Sequence, residues 1–381
     1  MNFAYRNLNH KVALALGVLA LTPLPASALL ISTSSVGFTN SASVADAEGG
    51  GVSNNEGASF GTSTISQFDP NQGVLTGATI NLTSTRTQST WVQSSDGPDN
   101  GNNNQVTSSG TGSSTASISG PGLTHTFSSA INNTDSCTGA RLEGCAGTST
   151  VSAATPTNAN SGVSSTSLDS YVGGGDVILA LTAPTLTATQ TSMQFTGVET
   201  TGYTVTWTGD VDATYEYLLH AAPSFDSSSS LLTLDLNFGT FYVGDTATLG
   251  FDLFNLANAN RIGLDLDSIS GTGDISTLLT SLSQFSGLSQ GSGNSWAAML
   301  DTSAAGVFSA SYLFGMSDAD VGAASSRFAY TLALNLTGRV DERLAPPAQV
   351  GEIPEPGILA LLGLGLAGLS FTRKKSWRQK S

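Results

Sequence analysis

Between residues 231 and 253 apolar and polar side chains alternate with a period of two. Leu232, Leu234, Leu236 and Phe238 fall on one side, and Thr233, Asp235 and Asn237 on the other. Successive side chains of a pleated strand point to opposite faces, so this spacing predicts a strand with one buried and one wet side, and not a helix. Gly244-Asp245 then turns the chain into Ala247, Leu249, Phe251 and Leu253, which alternate again. Further strands are expected at 262–269, 307–314 and 328–340, and short strands separated by glycine turns predict a β-sandwich over 226–340.

The preceding region is less regular. Its strand candidates lie at 74–85, 88–93, 171–182, 194–197 and 201–207, with 213–219 leading out. Abundant Ser, Thr, Gly and Asn, with few charges, also favour β-structure over helix. The expected fold is all-β: two β-sandwich-like domains at 29–225 and 226–340, an N-terminal signal helix and a single C-terminal transmembrane helix. Residues 94–122 hold almost no large apolar side chain. Such a stretch buries too little surface to offset its ordering, so a polar loop is expected there.

Both ends read as targeting segments. At the start, Arg6 and Lys11 precede an apolar stretch at 12–21, and Ala26-Ser27-Ala28 supplies a small-residue cleavage site. Residues 1–28 are thus expected to be a signal peptide, handled by the secretion machinery and signal peptidase, with the mature chain starting near Leu29. Ten apolar residues reach only about 15 Å as a helix, half the hydrocarbon thickness, which argues against an uncleaved anchor. At the other end, a polar linker at 341–353 with Pro346-Pro347 leads to Pro354-Glu355-Pro356. An apolar segment at 357–372 follows, closed by Arg373, Lys374 and Lys375. The prolines keep the strip around Glu355 extended. The basic cluster should stay on the cytoplasmic side of the membrane, leaving the body outside.

Residues 29–353 contain six arginines and no lysine against 27 acids, a net charge near −21. That surface repels nucleic acid and leaves divalent cations as natural partners. Cys137 and Cys145 are the chain's two cysteines, and in an oxidising compartment they are expected to form a disulfide.

Several local patterns resemble chemical motifs without their context. Gly287-Leu288-Ser289-Gln290-Gly291 fits a nucleophile elbow, but the last histidine, His220, precedes it, and His125 is farther upstream still. The G-x-G-x-x-G at 363–368 lies inside the apolar tail, where small residues serve close helix approach instead. The run 96–101 carries Pro98 where a calcium loop needs its third ligand. Asp265, Asp267 and Asp274 would make a weak calcium site at best. No catalytic, cofactor-binding or metal-binding set is expected, and no cofactor.

The three-part tail, Pro354-Glu355-Pro356, apolar segment and arginine-led basic cluster, resembles the PEP-CTERM sorting signal, also called an ice-binding-protein C-terminal domain. The second name says nothing of ice binding by the body. The resemblance implies a Gram-negative bacterium whose membrane-embedded exosortase reads and cleaves the tail, often beside exopolysaccharide production. Phe68-Asp69-Pro70, Gly73-Val74-Leu75-Thr76, Tyr171-Val172-Gly173-Gly174-Gly175 and Thr214-Tyr215-Glu216-Tyr217 are similar to the choice-of-anchor E domain. Leu236-Asn237-Phe238-Gly239-Thr240 and Val243-Gly244-Asp245-Thr246-Ala247 resemble the opening hairpin of Hydin-type immunoglobulin-like domains, although 256–260 departs from that pattern. The expectation is an exported, non-catalytic structural or adhesive protein of the envelope or extracellular matrix, membrane-anchored as a precursor and associated with exopolysaccharide or biofilm. A carbohydrate- or ice-binding module is the alternative, and a secreted hydrolase the third reading.

Overall fold

The computed structural model describes residues 27–48, 52–54, 58–94, 106–139, 144–152, 158–190, 199–343 and 361–366. The fold is all-β, and four sheets form two face-to-face pairs around separate cores.

In the first unit, β1 (Leu29–Ser32) and β2 (Val36–Glu48) lie along one edge of β12 (Glu199–Leu218). On its other edge, β12 pairs with β5 (Val74–Ser94) along its full length, and β5 then takes β8 (Cys145–Ser152) and β9 (Ala159–Gly162). The facing sheet runs β3 (Val52–Asn54), β11 (Leu186–Gln190), β6 (Val106–Gly120), β10 (Asp176–Ala183), β4 (Ala58–Ser66), with β7 (Leu123–Gly139) also on β6. In the second unit one sheet runs β13 (Pro223–Ser224), β15 (Ala247–Asn255), β19 (Gly293–Leu300), β17 (Leu278–Thr280). The other runs β14 (Thr233–Tyr242), β21 (Ala329–Asp341), β20 (Gly306–Asp318), β16 (Leu264–Gly273), β18 (Phe285–Leu288). The pair β14–β21 is parallel, bringing together segments about a hundred residues apart.

Period-two alternation builds both interiors. From β12, Tyr203, Val205, Trp207, Val211, Ala213 and Tyr215 point inward, while Thr204 and Thr208 face solvent. Trp207 is fully buried, with the rings of Phe38, Phe60 and Phe127 edge-on at 5.4–6.0 Å and its indole N–H donating to Ser84 Oγ at 2.9 Å. In the second unit, Leu332, Leu334 and Leu336 of β21 meet Phe314 and Met316 of β20.

The polar loop expected at 94–122 is corrected: Ser94 ends β5 and Val106–Gly120 is strand β6, at the centre of a sheet. Its inward residues, Ser108, Gly110, Gly112 and Ser114, are small because the opposite sheet projects large side chains at them. A Cβ on Gly110 would lie 1.9 Å from Thr201 Oγ1, and one on Gly112 would lie 2.6 Å from both the Tyr203 ring and Gln88 Nε2. Small residues thus set the sheet spacing, and hydrogen bonds take the place of apolar contact. Residues 96–101 and 194–197 lie outside the described residues. The segment expected as a strand at 171–182 begins instead as a 3-10 turn, Ser165–Tyr171, before β10. The pairs of candidates at 74–85 and 88–93, and at 201–207 and 213–219, each merge into one long strand.

Among the described residues no helix is long and apolar enough to cross a membrane. Of the tail, the structure describes a helical stretch at 361–366 with Leu361, Leu362, Leu364 and Leu366 exposed. The rest of the expected span at 357–372 and of the signal helix at 1–28, apart from exposed Ser27 and Ala28, lies outside the described residues.

Candidate functional site

The strips Phe68–Pro70, Tyr171–Gly175 and Thr214–Tyr217 converge at one end of the first unit. Phe68 N donates to Tyr171 O at 2.8 Å, and Gly173 N to Phe68 O at 2.9 Å. Gln67 Oε1 accepts from Gly175 N at 3.0 Å while its Nε2 donates to Ser170 O at 3.1 Å. Gly173 has φ 147°, and a Cβ there would sit 2.5 Å from Gln67 Oε1, so glycine is required on both counts. Tyr215 closes the arrangement by donating from its hydroxyl to Ser66 O at 2.7 Å. Beside these strips is an open cleft of about 550 Å³, bordered by Gln67, Asp69, Asn71, Gly174 and Asp176. Its polar lining comes from the carboxylates of Asp69 and Asp176 and the amides of Gln67 and Asn71.

Behind the cleft, the two units interlock. Ala323 of the second unit lies in the first core, and Val74 of the first lies in the second. The loop between β20 and β21 reaches across: Ala323 N donates to Leu75 O at 2.8 Å, and Leu75 N to Ser326 Oγ at 3.0 Å. Gly322, at φ 67°, lets the backbone approach, since a Cβ there would be 2.2 Å from Leu75 O. Asp169 Oδ1 accepts from Ser325 N and Oγ, both at 2.8 Å. Those two bonds hold the Asp169 carboxyl below its ordinary range.

At the centre of the junction is His220, on the segment joining the units. Its Nδ1 lies 2.8 Å from Asp318 Oδ2 and its Nε2 2.8 Å from the Pro70 carbonyl oxygen. Its ring stacks on Phe328, with centroids 3.9 Å apart and planes 13° from parallel. Asp318 is fully buried and also accepts from Ala221 N at 2.7 Å, Phe328 N at 2.8 Å and Tyr330 Oη at 2.9 Å. Arg261 donates from Nη1 to His220 O at 2.7 Å. Burial alone would lower the His220 imidazole, but the bonds to Asp318 and Pro70 outweigh it, and the net shift is upward. Burial would likewise raise Asp318, yet its hydrogen bonds bring it below the ordinary carboxylate value. The Tyr330 phenol is pushed up, first by burial and then by the Asp318 charge. Burial lowers Arg261.

The residues singled out in the sequence are dispersed. Pro354, Glu355, Pro356, Arg373, Lys374, Lys375 and Ala26 lie outside the described residues. Cys137 of β7 and Cys145 of β8 are bonded, S–S 2.09 Å and Cα–Cα 5.6 Å, and this joins the two facing sheets. Ser289 sits in a turn of the second unit, its carbonyl accepting from Ser292 N. His125 lies in the first unit against Ser161 Oγ at 3.1 Å, while His220 engages Asp318 and Pro70, so neither ring is placed on Ser289. Asp265 accepts from Gly287 N and Asp274 from Ser309 N. Among the described residues no three His, Cys, Asp or Glu gather as a metal site. Sequence reasoning weighed His220 only as a base and did not find Asp318 or the junction, which no local pattern announces.

No curated protein matches this chain. Residues 352–374 match the PEP-CTERM protein-sorting motif, which marks the chain as an exported protein whose processing partner is exosortase.

Proposed function

We infer that the protein is a non-catalytic structural or adhesive component of the envelope or extracellular matrix of a Gram-negative bacterium. It is held in the inner membrane as a precursor and cut by exosortase near Pro354-Glu355-Pro356. The observation that carries this reading is the sorting motif at 352–374 behind an all-β body. The signal peptide at 1–28, and the likeness of the two units to choice-of-anchor E and Hydin-type domains, belong to the same proposal. Intact-mass measurement of the envelope protein tests it. The mature chain should begin near Leu29 and end close to Glu355, and Glu355→Ala should accumulate uncut precursor in the membrane fraction. A mature product that keeps Lys380 overturns the processing step.

The carbohydrate- or ice-binding alternative draws support from the outer face of the first unit. There the register aligns Ser43, Thr204, Ser89 and Thr150 in one row across four strands, Ser41, Thr206 and Thr87 in the next, and Thr39, Thr208 and Thr85 in the one after. Neighbouring strands stand about 4.8 Å apart, so these hydroxyls form an uncharged grid suited to a neutral, hydroxyl-rich partner. Glycan-array binding and ice-affinity partition of the full-length protein decide between the two readings. The charge near −21 adds a role for divalent cations: calcium should promote association, alone or with acidic exopolysaccharide, beyond what sodium does at equal ionic strength. Identical light-scattering curves for the two salts would remove cation bridging.

A further inference from the structure

We propose that His220 is a protonation-gated clasp: as imidazolium it ties the first unit, through the Pro70 carbonyl, to the second, through Asp318, and its deprotonation loosens the junction.

The argument begins with donors. Both ring nitrogens sit 2.8 Å from an acceptor, and a neutral imidazole carries a single N–H. The Pro70 carbonyl has no proton to give. Asp318 already accepts from Ala221 N, Phe328 N and Tyr330 Oη, so it is spent as a carboxylate. Either neutral tautomer therefore turns a nitrogen lone pair toward an oxygen lone pair, on Pro70 or on Asp318. Only the cation satisfies both sides, and its stacking on Phe328 favours it further.

Charged and titratable groups around the ring come from every element packed on it. Asp318 closes β20 and Tyr330 opens β21, while Arg261 approaches from the turn before β16, on the carbonyl side of His220. Next to Pro70, Asp69 turns its Oδ1 onto Asn71 N and Nδ2, at 3.0 and 2.8 Å. Across the rest of the junction, the Leu75–Ala323 and Leu75–Ser326 bonds carry no titrating group, and Asp169 remains ionised at neutral pH. Losing the His220 proton therefore frees one side of the junction while the 319–327 loop stays docked, and the expected motion is rocking and not separation.

The sign follows from the upward shift of His220. Its contribution is complete below the ordinary histidine value of about 6.5 and is lost as pH rises through the raised folded value. Asp318, shifted down, contributes above the ordinary carboxylate value and fails only in strong acid. The junction is thus tightest in mildly acidic medium and looser in alkali.

Hydrogen–deuterium exchange of the full-length protein at pH 6 and pH 9, corrected for intrinsic rates, tests this on peptides covering 66–76 and 318–330. A hydrogen bond to a charged group is worth about 1.5–3 kcal/mol, so exchange there should speed up by about tenfold or more at pH 9. His220→Gln should abolish the difference. His125→Gln, replacing the other histidine beyond the leader, should keep it. Equal protection of the wild type at both pH values, or a persistent difference in His220→Gln, overturns the clasp. A measurement without substitution guards against a misfolded variant: ring nitrogen shifts at pH 6 should report both nitrogens of His220 protonated, and a neutral tautomer there also overturns it.

Discussion

The interiors of the two units are built from the same alternation but from different materials. In the second, inward positions are mostly apolar, Leu264, Leu266, Phe314, Met316, Leu332, Leu334 and Leu336 meeting Phe225 and Phe251, and the buried polar residues Asn255 and Asp318 come at the ends of β15 and β20. In the first, β5 begins likewise with Ile80 and Leu82, then continues inward with Ser84, Arg86, Gln88 and Thr90. Opposite this second half lie Ser108, Gly110, Gly112 and Ser114 of β6. There Gln190 Nε2 donates to Ser108 Oγ at 2.7 Å and Ser114 Oγ to Gln88 Oε1 at 2.8 Å. Buried polar groups cost free energy unless paired, so this end gains little from burial itself and depends on each bond being made. The inward side of a strand can therefore be fully buried without being hydrophobic, provided its partners are placed to meet it.

The largest test of this contrast is at the apolar end. Trp207→Ala removes a fully buried ring with three aromatic neighbours and should cost about 3–5 kcal/mol. Because Ala323 and Val74 are exchanged between the cores, melting of the second unit should fall with it. A calorimetric trace in which one of two transitions moves alone would break the interlock. Next in size is the disulfide at the polar end. Replacing Cys137 and Cys145 by serine should cost about 2.5 kcal/mol by the chain-entropy relation. The second unit has no cysteine, so reduction should act on the first. Thiol labelling without reductant should find neither residue.

How much of this the sequence discloses depends on whether the signal is local. Leu234, Leu236 and Phe238 announce β14, and Gly244 at φ 86° makes the expected turn, with Tyr242 N donating to Asp245 Oδ2 at 2.9 Å. The tail is equally readable, because its order of parts is itself the message. Strand β6 escapes because its inward side is glycine and serine, and what makes those residues interior is Tyr203, Thr201 and Gln88 on other strands. A period of two in residue size, Ser108, Gly110, Gly112, Ser114, Ala116, was the available signal. The junction escapes for a stronger reason. His220 is 98 residues from Asp318 and 150 from Pro70, and nothing near any of the three requires the others.

The finest test compares one residue type on the two sides of a single strand. Thr201 and Thr206 both belong to β12. Thr201 is fully buried, and its Oγ1 donates to Trp91 O at 2.7 Å. Thr206 faces outward, with its hydroxyl 2.9 Å from Ser41 Oγ at the surface. Valine matches threonine in shape and lacks the hydroxyl, so Thr→Val isolates the hydrogen bond. Thr201→Val removes an interior bond among groups with no water to replace it, and should cost about 1–3 kcal/mol. Thr206→Val leaves Ser41 free to bond water and should stay within about 0.5 kcal/mol. Denaturant midpoints at unchanged slope measure both. Equal losses at the two positions would mean that the polar interior is no more dependent on its pairings than the wet face is, and the contrast with the apolar second unit would then rest on composition alone.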